Sequence, residues 1–91
     1  MEKRLGMIAI VISDKHIVFE VNELISNFSE FVIARQGIPM PQKSLSFISL
    51  IVEAPMNSIN TLTGKLGRLQ GVEVKTIITK QELVSEKTNF Q

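Results

Sequence analysis

The side chains of this chain that are equipped for chemistry are few, and their spacing limits what they can do. Its one histidine, His16, stands two residues after Asp14 at what reads as a helix start. A metal centre needs three or four ligands, and none joins His16 at helical or hairpin spacing, so the reading is a solvated histidine and no metal site. No serine or threonine has a base at motif spacing, and no nucleophile–base constellation is visible. Gly64-Lys65-Leu66-Gly67 superficially matches a phosphate loop. It lacks the upstream glycine and the following Ser or Thr, and it falls inside a helical pattern, so the match is rejected. Arg35 beside Gly37 is the one polar group next to a flexible turn that is able to hold an anionic ligand bidentately. Its plainer reading is a solvated arginine at a strand end.

The glycines carry the other signal. Gly64, Gly67 and Gly71 follow one another at spacings of three and four within Ile59 to Ile78, a stretch that reads as a helix turning into a strand. Each glycine inside a helix costs about 1 kcal/mol against alanine, so Gly64 and Gly67 need an offset. Close packing of another backbone supplies one, and close approach of a ligand supplies another. If a ligand exists, it is expected against the Gly64/Gly67 flank or the Arg35–Gly37 turn, near a subunit boundary.

Bulk properties bound the rest. With 91 residues the chain makes one domain, placed at residues 1–80, with a polar tail at 81–91. The chain is 44% hydrophobic and only 21% charged, which is apolar for its size and predicts cover from another subunit. Ten basic and nine acidic residues are interspersed, which argues against electrostatic binding of nucleic acid or of an anionic membrane. There is no cysteine, so disulfides and thiolate chemistry are excluded. The apolar run LGMIAIVI is too short to span a bilayer and has no cleavage pattern after it, so it reads as a buried strand in a cytoplasmic protein.

The elements that must position these residues follow from periodicity. Residues 4–12 are apolar on both faces and predict a central strand. Ser13-Asp14 offers an N-cap for an amphipathic helix over 15–28, with Ile17, Val18, Val21, Leu24, Ile25 and Phe28 on one stripe and Phe19 opposite. A second strand at 30–36 ends at Arg35 and Gln36, as an edge strand would. Gly37-Ile38-Pro39-Met40-Pro41 reads as a loop, more a hairpin connection than a lid. A third, central strand covers 45–53 before Pro55 breaks it. Asn57 or Ser58 then caps a second helix that buries Ile59, Leu62, Leu66 and Leu69. Gly71 is placed as that helix's left-handed cap, and 72–79 form an edge strand.

The order is βαββαβ, the ferredoxin-like split unit, an α+β open sandwich. Right-handed crossovers give sheet order 4-1-3-2 with both helices on one face. The other face is left carrying either Leu5, Met7 and Phe47 or Ile8, Ile10 and Ile48, and a homo-oligomer, dimer or tetramer, is the expected remedy.

This topology, with glycines around its second helix, looks like the ACT-like regulatory domains. More closely, NELISNFSE, the R-x-G-x-P of Arg35, Gly37 and Pro39, and LTGKLGRLQGVEVKT resemble the iron-only hydrogenase system regulator family, over nearly the whole chain up to about Lys80. That family is related in fold to the C-terminal domain of nickel-responsive repressors. The resemblance implies an oligomeric, non-enzymatic regulatory domain without cofactor, sensing a small-molecule effector or contacting a protein partner. A scaffolding oligomer with no ligand is the alternative. The nickel repressors hold their metal through several histidines and a cysteine, whereas this chain has His16 alone and no cysteine. Their ribbon-helix-helix DNA-binding arm is missing too, because the first strand begins within a few residues of Met1.

Overall fold

Side chains in a strand alternate between two faces, and in this protein that alternation sorts the core from the open surface. A computed structural model describes residues 2–79. Strand β1 (Lys3–Ile12) pairs antiparallel with β3 (Leu45–Pro55), and Ile8 and Ile10 stand opposite Leu50 and Ile48. These four, with Ile12, Val52 and Ala54, form the floor of the core. Two helices cover that floor. Helix α1 (Val18–Ser26) contributes Val21 and Ile25, with Phe28 beyond it, and α2 (Met56–Gly67) contributes Ile59, Leu62 and Leu66. No polar or charged side chain is buried among the described residues.

Strands β2 (Val32–Met40) and β4 (Val72–Ile78) complete a four-stranded sheet in the order β2-β3-β1-β4, every neighbouring pair antiparallel. Read from the other end this is the expected 4-1-3-2, and the element order is ferredoxin-like βαββαβ. As expected, β1 and β3 lie inside while β2 and β4 form the edges. The polar tail 81–91 and the domain boundary at Lys80 lie outside the described residues.

Four boundaries differ from the sequence reading. A one-turn 3-10 segment (Lys15–Ile17) opens the first helix, Asp14 caps it by accepting from the His16 amide at 2.9 Å, and α1 stops at Ser26. Residues 37–40, expected as a loop, continue β2, which begins at Val32 after a 3-10 turn. Pro39 is tolerated because β2 is an edge, where a missing donor leaves no partner unpaired. The reversal sits instead at Pro41–Lys43, closed by Ser44 at φ 55°. Helix α2 starts at Met56 with Pro55 at its N-cap, so neither Asn57 nor Ser58 is the cap. An extended residue before the first turn serves that position even without a side-chain acceptor, and Pro55 has ψ 148°. Finally, α2 ends at Gly67 with Arg68 as its C-cap, four residues earlier than Gly71.

Gly71 does adopt the left-handed conformation, φ 80°, but it serves the turn into β4. There the Ser13 amide donates to its carbonyl at 2.8 Å and the Ser13 hydroxyl donates at 3.2 Å. A Cβ at Gly71 would lie 2.7 Å from the Asp14 Cβ. Gly71→Ala is therefore expected to destabilise the fold by about 1–3 kcal/mol, through both the backbone conformation and the overlap. A urea midpoint that does not fall would show that the turn yields freely.

Candidate functional site

The face of the sheet away from the helices is the most distinctive surface of the chain. Register fixes its composition. Ile38, Phe47, Val11 and Glu73 form one row across the four strands, and Ala34, Ile51, Met7 and Ile77 form another. Between them lies a row of smaller or polar residues, Gln36, Ser49, Ala9 and Lys75. Met40 and Leu45 pair at the hairpin end on the same face. Met7, Ile38, Met40, Phe47 and Ile77 keep between 37% and 68% of their surface exposed. The small floor at Ala9 and Ser49 leaves a shallow apolar groove of about 460 Å³, walled by Ile38, Met40 and Phe47. Of the two alternatives left open by sequence, the set with Leu5, Met7 and Phe47 is the one left uncovered.

A second concavity, about 790 Å³, opens at one end of the sheet where three connections converge. Asp14, His16, Pro41, Ser44, Gln70 and Gly71 are among its walls. Its Ser44 and Gln70 carried no motif and were not legible beforehand, since only folding brings the hairpin tip beside the turn before β4. His16 is exposed in this wall, and its backbone amide donates to the Asp14 carboxylate. No group of three or more His, Asp or Glu positioned to hold a metal ion occurs among the described residues.

The four residues singled out for a ligand do not converge within one chain. Arg35 and Gly37 belong to β2, one edge of the sheet, on the side of the helices, opposite Leu50 and Ile48. The Arg35 guanidinium donates to Oδ1 of Asn22 on α1 at 2.6 Å, tying helix to edge strand. Gly64 and Gly67 lie on α2, which packs over β4 and β1 at the opposite side of the sheet. A Cβ added at either would meet nothing within 4 Å, so among the described residues no backbone fills the space beside them. Because Arg35 is exposed, its pair with Asn22 is solvent-screened. Arg35→Ala is expected to cost no more than about 1 kcal/mol, as read by thermal unfolding. A loss several times larger would mean that the contact organises the β2 edge.

No helix among the described residues is long and apolar enough to cross a membrane. Comparison with curated proteins gave no match. Among solved structures, protein TM1266 of Thermotoga maritima is 39% identical and superposes with a TM-score of 0.82, over 87% of this chain and 100% of that one. A protein of unknown function from Galdieria sulphuraria, 17% identical with a TM-score of 0.60, covers 92% of this chain and 48% of its own, and shows the fold alone. Residues 4–76 match the model of the TM1266-like family, described as "Iron-only hydrogenase system regulator, putative". Fold, identity and the length matched agree: the chain belongs to the TM1266-like family.

Proposed function

We propose that the chain is a non-enzymatic regulatory module of the iron-only hydrogenase system that acts by assembly, with the open face of its sheet covered by another copy. One observation carries this reading: two rows of large apolar side chains stand exposed on a face that neither helix covers. At about 25 cal/mol per Å² of apolar area removed from water, covering such a face is the largest stabilisation still available to the molecule. Among the described residues no polar side chain is buried, which fits a module that works through its surfaces. Membership of the family supplies the link to the hydrogenase system.

A second reading, sensing of a small effector, is favoured by the concavity of about 790 Å³ at the end of the sheet. That volume suits a metabolite-sized molecule. Its walls include the hairpin tip, which a bound molecule would fix relative to the open face. A scaffold without ligand remains the alternative, and native mass spectrometry of protein purified from its own host separates the two by the presence or absence of a retained small molecule.

The assembly reading is tested on the open face itself. Wild-type protein is expected to sediment as a dimer or larger even-numbered oligomer at micromolar concentration. Phe47→Asp, which puts a charge in the middle of the apolar row, is expected to weaken assembly at least about tenfold while leaving the far-ultraviolet dichroism unchanged. Wild-type protein that is monomeric at that concentration would overturn the reading.

A further inference from the structure

We infer that β4 pairs antiparallel with β4 of a second copy, about a two-fold axis through Val74, to make one eight-stranded sheet. This rests on the assembly reading above and names a different surface for it.

The phase of the hydrogen bonds sets which groups of β4 are free. The Thr79 amide donates to the Leu5 carbonyl at 3.0 Å, and the Ser13 amide donates to the Gly71 carbonyl at 2.8 Å. In an antiparallel ladder, residues bonded to one neighbour alternate with residues facing the other side. Through the regular register from Ile12↔Val72 to Gly6↔Ile78, Glu73, Lys75 and Ile77 therefore bond inward to β1. Val72, Val74, Thr76 and Ile78 turn their amides and carbonyls outward. That edge has no proline, glycine or bulge. The other edge, β2, is blunted by Pro39 and by the irregularity between Val32 and Ala34, devices that discourage strand addition. Of the two edges, β4 is the one fit to pair.

Charge then selects the register. Pairing centred on Val74 sets Glu73 opposite Lys75 of the second copy, and Lys75 opposite its Glu73, twice across the axis. Both pairs fall at non-hydrogen-bonded positions, where side chains approach most closely. Val74 exchanges main-chain bonds with its own counterpart, and Val72 with Thr76 on either side of it, about six in all. Centring on Lys75 instead would place two lysines face to face, and centring on Thr76 would leave Glu73 and Lys75 without partners. The helix layer is compatible. On α2, Asn57, Ser58, Thr61 and Lys65 line the groove against α1, so the exposed Asn60 and Gly67 lie on the flank away from α1, while Gly64 faces outward, opposite the buried Leu62 and Leu66. Helix α2 packs over β4, so this flank faces the second copy's α2 across the axis. The open space over Gly67 is then room for a neighbouring helix backbone.

Charge exchange tests the pairing in the full chain. Glu73→Lys alone and Lys75→Glu alone each turn two attractive pairs into repulsive ones, and each is expected to raise the dissociation constant of the dimer by about tenfold or more. Mixing the two variants restores complementarity and should restore association as a heterodimer, as should the double exchange Glu73→Lys/Lys75→Glu. Because the chain has no cysteine, Val74→Cys gives an independent reading. It should cross-link to itself on mild oxidation, since paired Cα atoms about 5.5 Å apart suit a disulfide, whereas Thr76→Cys should not. If the single variants associate like wild type, or mixing fails to restore what each has lost, or Thr76→Cys cross-links in preference to Val74→Cys, the pairing is overturned. Phe47→Asp remains a separate readout, so assembly through the open face alone would show as sensitivity to Phe47 and none to Glu73 or Lys75.

Discussion

Two helices have to cover one face of a sheet whose inner strands are apolar on both, and among the described residues nothing is left to cover the other. That mismatch is the constraint on which the rest of the molecule depends. On the covered side it yields a core free of buried polar groups, built from Ile8, Ile10, Leu50 and Val52 under Val21, Ile59 and Leu66. A core of this kind has no orphaned donors to satisfy, so packing alone holds it. On the open side the same alternation sets Met7 and Phe47 in water and leaves Ile51 half-buried between them. Shifting either strand by one residue would exchange the two sets, and with them core and surface. Fold and exposed face are therefore a single consequence of one pattern.

The order and types of the elements were legible because both helices carry a clear helical period and β1 and β3 are continuous apolar runs bounded by turn residues. Boundaries were less so, where a local signal competed with tertiary context. Gly37 and Pro39 announce a loop to anyone reading locally, yet an edge strand has a free side on which a proline's missing donor costs nothing. Pro55 announces a break, and it is one, but the helix begins on the next residue. Gly71 announces a left-handed residue and delivers it, while α2 stops four residues earlier, because the turn is set by Ser13 and Asp14 from across the chain. The candidate site was legible only in part. The apolar face could be read as one of two alternating sets, whereas the end cavity joins residues as distant as Asp14, Ser44 and Gln70, whose types carry no motif. The Arg35–Gly37 turn reads as a place for an anionic ligand and the Gly64/Gly67 flank as a place for close backbone approach, and the sheet order puts the two on opposite sides.

The solvent-facing glycines make the point about assembly from the helix side. A helix residue whose added Cβ meets nothing has no reason of packing, within one chain, to be glycine. Gly67 closes α2, where the cost of glycine is smaller, but Gly64 is interior and bears the full penalty of about 1 kcal/mol. Among the described residues no backbone comes close to that flank. An offset must then come from outside the described residues.

The two edges of the sheet complete this picture, since an unpaired strand is a liability unless it is blunted or used. The β2 edge is blunted by a proline and an irregular register. The β4 edge has neither, and its two exposed charges are of opposite sign, two residues apart on one face. A strand protected only by charge would be served equally well by two lysines, which repel any copy of themselves. Opposite signs at that spacing repel nothing in the antiparallel register centred between them, and so they fail as protection against a second copy in the one arrangement where they succeed as recognition. An eight-stranded sheet formed this way would also join the open faces of two chains into one surface, two apolar fields on either side of a seam of Glu73–Lys75 pairs, doubling the area that a further pair has to cover.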